Sequence, residues 1–123
     1  QKIPEPFRLQ VIESLNAFND EVHRAAPVSV IDRARDAASH VLLAFFELTG
    51  KDTKDLGPLA DKLVEKKFMI AANSAHTIAR LHARAKPSEQ HRRQMRPIRE
   101  QDAGLAVQCV GTILCEIGWA DWT

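Results

Sequence analysis

Five stretches of this chain place apolar side chains every three or four residues, and none alternates apolar with polar over a strand's length. Phe7, Val11, Leu15, Phe18 and Val22 form the first stripe, at spacings of four, four, three and four. A stripe with that period lies along one side of an α-helix and has to be buried against something. The pattern therefore predicts an all-α protein, with the stripes packed together as a helical bundle of about five helices.

Local signals suggest where each helix starts and stops. The first is expected from about Pro6 to His23, broken by Ala25-Ala26-Pro27, because an interior proline lacks the N–H a helix needs. Ser29 is expected to cap the second, with Asp32 completing a capping-box-like pair, and Gly50 to end it. Its buried face should hold Ile31, Ala34, Ala38, Val41, Leu42 and Phe45. Asp55 reads as the next N-cap, with Pro58 in the first turn and Leu56, Leu59, Leu63 and Val64 inward. After Lys66-Lys67 a fourth helix is expected from about Phe68 to Arg84, with Ile70, Ser74, Thr77, Ile78 and Leu81 inward. Lys86-Pro87 ends it, since proline disfavours helical backbone in the residue before it. A polar loop follows to about Pro97. The last helix is expected from about Arg99 to Trp119, lined by Ala103, Ala106, Val107, Val110, Ile113, Leu114 and Ile117.

The chain has 123 residues, 45% hydrophobic and 27% charged, which suits one globular domain with one core. No apolar run approaches the roughly 20 residues that span a bilayer, and no signal-peptide pattern opens the chain. It begins on Gln1, as a fragment or a trimmed chain would. Cys109 and Cys115 stand six apart on one predicted helix, on different faces, so no disulfide is expected between them. With no other thiol, a reduced, cytoplasmic location is expected.

Charge is distributed unevenly. The stretch from Arg80 to Arg99 holds seven cations (Arg80, Arg84, Lys86, Arg92, Arg93, Arg96 and Arg99) and one acid, Glu89, for a net +6. The other 103 residues hold ten cations and fifteen acids, for a net −5. A basic segment on an otherwise acidic chain points to a polyanion, with RNA the first candidate, or else to a solvated loop. Phosphate-binding glycine loops, paired zinc cysteines, a helical His-Glu-x-x-His and a nucleophile elbow are absent, so no metal and no cofactor is expected. The aromatic strands of the sheet-based RNA modules are missing as well.

The remaining chemistry lies in Arg84 and His91, with six residues between them across the Lys86-Pro87 break. A neutral histidine can take a proton from a hydroxyl and return one to a leaving oxygen. An arginine can hold a phosphate by two parallel hydrogen bonds and stabilise the charge that grows on it. Together they suit metal-free cleavage of an RNA phosphodiester by its own 2′-hydroxyl. Lys86, Arg92, Arg93 and Arg96 would bind the rest of the substrate backbone.

Three segments carry a family resemblance: PVSVIDRARDAASHVLLAFF, LVEKKFMIAANSAHTIARLHARAKPSEQH and RPIREQDAGLAVQCVGTIL. Their order and the arginine–histidine spacing resemble HEPN domains, particularly those like the C-terminal domain of abortive-infection proteins. The resemblance covers about residues 27–118 of a single domain that takes in 1–123. It implies a metal-independent endoribonuclease whose motifs, from two copies of the chain, share one cleft in a homodimer. Arg84 would bind the phosphate and His91 would act as base or acid. It also implies a setting in toxin or antiviral defence, with an antitoxin or a neighbouring domain as a further partner. Two positions depart from the family pattern. Ala85 stands where a polar residue, often Asn, commonly follows the arginine, and Arg92 stands where a glycine often follows the histidine. These departures fit the alternative, a degenerate HEPN domain that binds RNA, nucleotide or protein without cutting.

Other residues have two readings each. His82 either assists near Arg84 or sits on the helix surface. His40 and His76 read as packing residues within helices. Arg35-Asp36 either help line a cleft or form a solvated face. Trp119 and Trp122 either cover the bundle end or meet a neighbouring domain.

Overall fold

The computed structural model describes residues 3–22, 26–48, 55–85 and 98–120. Among these the chain forms five helices and no strand: α1 (Arg8–Val22), α2 (Pro27–Phe45), α3 (Leu56–Glu65), α4 (Met69–Arg84) and α5 (Glu100–Glu116). The all-α bundle expected from the stripes is the fold observed. Val11, Ile31, Val41, Leu42, Leu59, Leu63, Ile78 and Ile113 are its most deeply buried large side chains, and all but Val64 and Ile70 of the predicted inward positions are buried or half-buried. Thr77 is half-exposed and donates its hydroxyl to the Asn73 carbonyl one turn back, at 2.9 Å.

Alanine allows the helices to pack closely. Ala34, Ala37, Ala38 and Ala44 of α2, Ala60 of α3, and Ala71, Ala72 and Ala75 of α4 are all buried. Such small side chains leave no bulk between helices, so neighbouring backbones can pack at the short end of the usual 8–10 Å separation. α2 lies at the centre, against α1, α3, α4 and α5.

Several expected boundaries differ, each for a local reason. α2 begins at Pro27, with extended Ala26 as N-cap, rather than at Ser29. Proline's fixed φ suits the first helical position, so Pro27 opens α2. Ser29 becomes an exposed first-turn residue and Asp32 faces a neighbouring helix instead of capping. Asp55 does occupy the N-cap position of α3, but its side chain makes no cap hydrogen bond. Gly50 lies outside the described residues, and α2 ends before it. Glu47 takes the left-handed conformation there, at φ 53°. Its N–H donates to the Ala44 carbonyl at 3.1 Å and that of Leu48 donates to Leu43 at 2.9 Å, the two bonds of a Schellman motif.

The same motif ends α3 at Lys67 (φ 71°) and α5 at Gly118 (φ 85°). The Phe68 N–H reaches Leu63 and the Trp119 N–H reaches Leu114, both at 2.8 Å. The residue after each left-handed turn is apolar and folds back on the core. Phe68 and Trp119 thus meet Phe45 edge to face, with ring centroids 5.5 and 6.1 Å away, and Phe46 adds a fourth ring at 5.2 Å. Trp119 covers the bundle end, one of its two readings. Trp122 lies outside the described residues.

The turn at Lys66-Lys67 also explains two misplaced positions. Val64 follows Leu63 by a turn of roughly 100° and points away from the core. Ile70 lies in the first turn of α4, roughly 80° around the helix from Ile78, and is 57% exposed.

Candidate functional site

At the aromatic end of the bundle, the first free N–H groups of α4 meet a carboxylate. The Ala71 N–H donates to Glu116 Oε1 from the end of α5, at 2.9 Å. α5 therefore runs antiparallel to α4, and its start lies at the opposite end of the bundle. There the Arg99 N–H donates to Asp102 Oδ2 at 2.9 Å, and Asp102 is buried. The reciprocal backbone bond, Asp102 N–H to the Arg99 carbonyl, measures 3.0 Å. A first-turn carboxylate of this kind satisfies an otherwise free donor and favours the positive end of the helix.

The last turn of α4 arrives at this same end, carrying His82 and Arg84. Both suit a helix C-terminus, where the exposed carbonyls carry partial negative charge. At 3.6 residues per turn, positions 82 and 84 lie about 200° apart around the helix. His82 turns to α2, its Nε2 3.4 Å from Asp32 Oδ1. Arg84 is half-buried on the other flank, with its Nε buried. His82 is therefore not a neighbour of Arg84 on one helix face, nor a freely solvated histidine. Ala85, in the following turn, is buried. The position where the resemblance expects a polar residue faces the core here, and an alanine suits that burial.

An open cleft of about 440 Å³ adjoins His82. Glu21 of α1 and Ser29, Asp32, Arg33, Arg35 and Asp36 of α2 form the rest of its wall. Arg35 and Asp36 thus line a cleft, as one of their two readings had it. Asp32 and Asp36 stand one turn apart, which puts both carboxylates on one face of α2. Three acids, two arginines and His82 share this wall, so its described residues carry no net positive charge, while the chain just beyond Arg84 is strongly positive. The cleft was not legible as a whole: Asp32 read as a capping residue, and Glu21 gave no signal.

His40 and His76 sit on helix flanks as half-buried residues, each facing a carboxylate, Asp36 at 3.7 Å and Asp61 at 3.8 Å. Cys109 and Cys115 are both free. Cys109 is buried between α5 and Ser74 of α4, and burial raises its thiol pKa above 9.0 despite the opposing hydrogen bond from Ser74. Among the described residues no three His, Cys, Asp or Glu side chains cluster as metal ligands. No described helix is long and apolar enough to cross a membrane.

Of the residues singled out for catalysis and substrate binding, Arg84 alone is described. His91, Lys86, Arg92, Arg93 and Arg96 lie outside the described residues, as does the loop that carries them. What the fold places is the arginine, at the end of α4 and on the flank away from His82 and its cleft. Comparison of the chain with family models, with curated proteins and with solved structures finds no match.

Proposed function

We propose that the chain is an RNA-acting domain of HEPN type that cleaves RNA without a metal, working as a homodimer. The position of Arg84 carries this reading. It closes α4 half-buried, with its Nε buried, inside the +6 segment that runs from Arg80 to Arg99. A guanidinium anchored in that way loses less freedom on gripping a phosphate than one on a mobile loop. Arg84 binds the scissile phosphate and offsets the charge that grows on it. His91 takes the 2′-hydroxyl proton, attack on phosphorus closes a 2′,3′-cyclic phosphate, and the departing 5′-oxygen receives a proton. Lys86, Arg92, Arg93 and Arg96 hold neighbouring phosphates. Two copies of the chain place their basic segments around one strand, and the RNA offsets their mutual repulsion.

The test is cleavage of a generic RNA in EDTA. Products ending in 2′,3′-cyclic phosphate are expected, with DNA untouched. His91→Ala should slow the reaction roughly 10²–10⁴-fold, the usual worth of a positioned acid or base. Arg84→Ala should lower both rate and affinity. Wild-type protein that binds RNA but leaves it intact, with His91→Ala binding equally well, would overturn the nuclease reading.

One observation favours a second reading, a domain that binds RNA without cutting. Ala85 is buried, so the polar group that commonly follows the arginine in the family has no counterpart at that position. Under this reading affinity still falls with salt, with a log–log slope of roughly −0.7 per phosphate neutralised on a single strand. Replacing Arg92 and Arg93 together by Ala should flatten that slope.

A further inference from the structure

We propose that the cleft between α2 and the last turn of α4 is a base-reading subsite, in which Asp32 selects guanine next to the phosphate held by Arg84. This rests on the RNA reading above and adds a specificity to it.

The charge of the cleft says which part of a nucleotide it can take. Glu21, Asp32 and Asp36 share the wall with Arg33, Arg35 and His82, so a phosphate entering the cleft meets no net positive charge among the described residues. Phosphates belong on the other flank of α4, with Arg84. A neutral group rich in donors fits the cleft, and an unstacked base is such a group. Single-stranded RNA is read in this way, through the hydrogen-bonding edges of splayed bases.

Asp32 makes the choice among bases. An ionised carboxylate only accepts hydrogen bonds, and it can accept two side by side. Guanine alone presents two adjacent donors on its pairing edge, the ring N1–H and the exocyclic amine. Adenine and cytosine set one donor beside an acceptor, and uracil flanks its single donor with two acceptors, which a carboxylate repels. His82 holds one oxygen of Asp32 from the wall of the cleft at 3.4 Å, while more than half of the Asp32 side chain stays open to the cleft. A carboxylate held this way loses little further freedom on binding. The two flanks of α4 are one helix width apart, about 10 Å. A strand crossing the end of the helix therefore puts a phosphate on Arg84 and an adjoining base in the cleft.

The experiment measures binding of the full chain to five short single-stranded RNAs in EDTA at fixed salt. Each is a uridine run with one central guanine, inosine, adenine, cytosine or uridine. Guanine should bind roughly tenfold more tightly than adenine, cytosine or uridine, the scale of one good bidentate contact. Inosine lacks the exocyclic amine and should fall between. Asp32→Asn should erase the guanine preference and, by removing a negative charge from the cleft, raise affinity for the all-uridine strand. Arg84→Ala should weaken all five alike. Glu65→Gln, the same loss of charge at the exposed end of α3, should change nothing. Equal affinity for all five strands, or a guanine preference that survives Asp32→Asn, overturns the proposal and leaves RNA binding intact. No binding to any strand overturns both. A guanine preference on strands that stay uncut supports the subsite and counts against cleavage.

Discussion

The two ends of α4 are built for different tasks. At its start, Phe68 and Trp119 fold onto Phe45 and the Glu116 carboxylate receives the Ala71 N–H, so backbone donors and apolar surface are both covered. At its finish, the side chains are His82 and Arg84, an open cleft lies alongside, and the +6 segment continues from it. One helix thus has a closed end that stabilises and an open end that offers chemistry. The difference follows from the chain ends that meet there. The closed end gathers three Schellman turns, each followed by an apolar residue that packs inward. The open end gathers the starts of α2 and α5, and the first turn of α5 carries Glu100 and Asp102.

The shared core between the ends should give the largest response. Ile78→Ala, at the middle of α4, should cost about 2–5 kcal/mol, read as a lower denaturant midpoint at unchanged slope. A loss below about 1 kcal/mol would mean that α4 is not seated as described.

At the closed end, Glu116→Ala removes the partner of the Ala71 N–H. It should cost about 1 kcal/mol, the usual worth of a helix cap, by the same measurement. The open end should behave differently. His82→Gln disturbs a pair whose carboxylate is largely exposed, and its effect on stability should stay within a few tenths of a kcal/mol. Equal losses at both ends would erase the contrast.

Lys67→Gly should act in the opposite direction. Lys67 holds φ 71° in the turn that aims Phe68 at the aromatic cluster. Glycine meets no Cβ penalty there, and the variant should gain about 0.5–1 kcal/mol.

The smallest effect concerns the buried thiol midway along α5. Burial raises the pKa of Cys109, so the folded state holds this proton more tightly than the unfolded chain does. Its contribution to stability is complete below the ordinary value of 9.0 and is lost as pH rises through the elevated one. Thiol labelling at neutral pH should therefore modify the less buried Cys115 well before Cys109.

These contrasts also mark what the amino-acid pattern carries. The helices and most of the core were legible, because Val11, Ile31, Leu42, Ile78 and Ile113 repeat at the period of a helix and burial follows period. Helix ends were less so. A proline after two alanines reads as a break, and only the packing of α2 shows that Pro27 is its first residue. Glu47 and Lys67 occupy left-handed positions that sequence rules reserve for glycine, and nothing local announces them. Of the candidate site, Arg84 was legible from its place at the end of a stripe. The cleft was not, because it is made by Asp32 and His82, fifty residues apart in the chain and joined only when α2 and α4 run antiparallel. Charge counting found the basic segment but could not reveal the cleft that Glu21, Asp32, Asp36 and His82 help to line.

The central claim is that RNA meets this protein at the open end of α4. Amide NMR spectra of the full chain, recorded as a short single-stranded RNA is added in EDTA, test it most directly. The account predicts shifts at Asp32, Arg35, His82, Arg84 and Ala85, with Phe68, Met69, Ala71 and Glu116 unmoved. Shifts centred on the aromatic end, or none at saturating RNA, would contradict it.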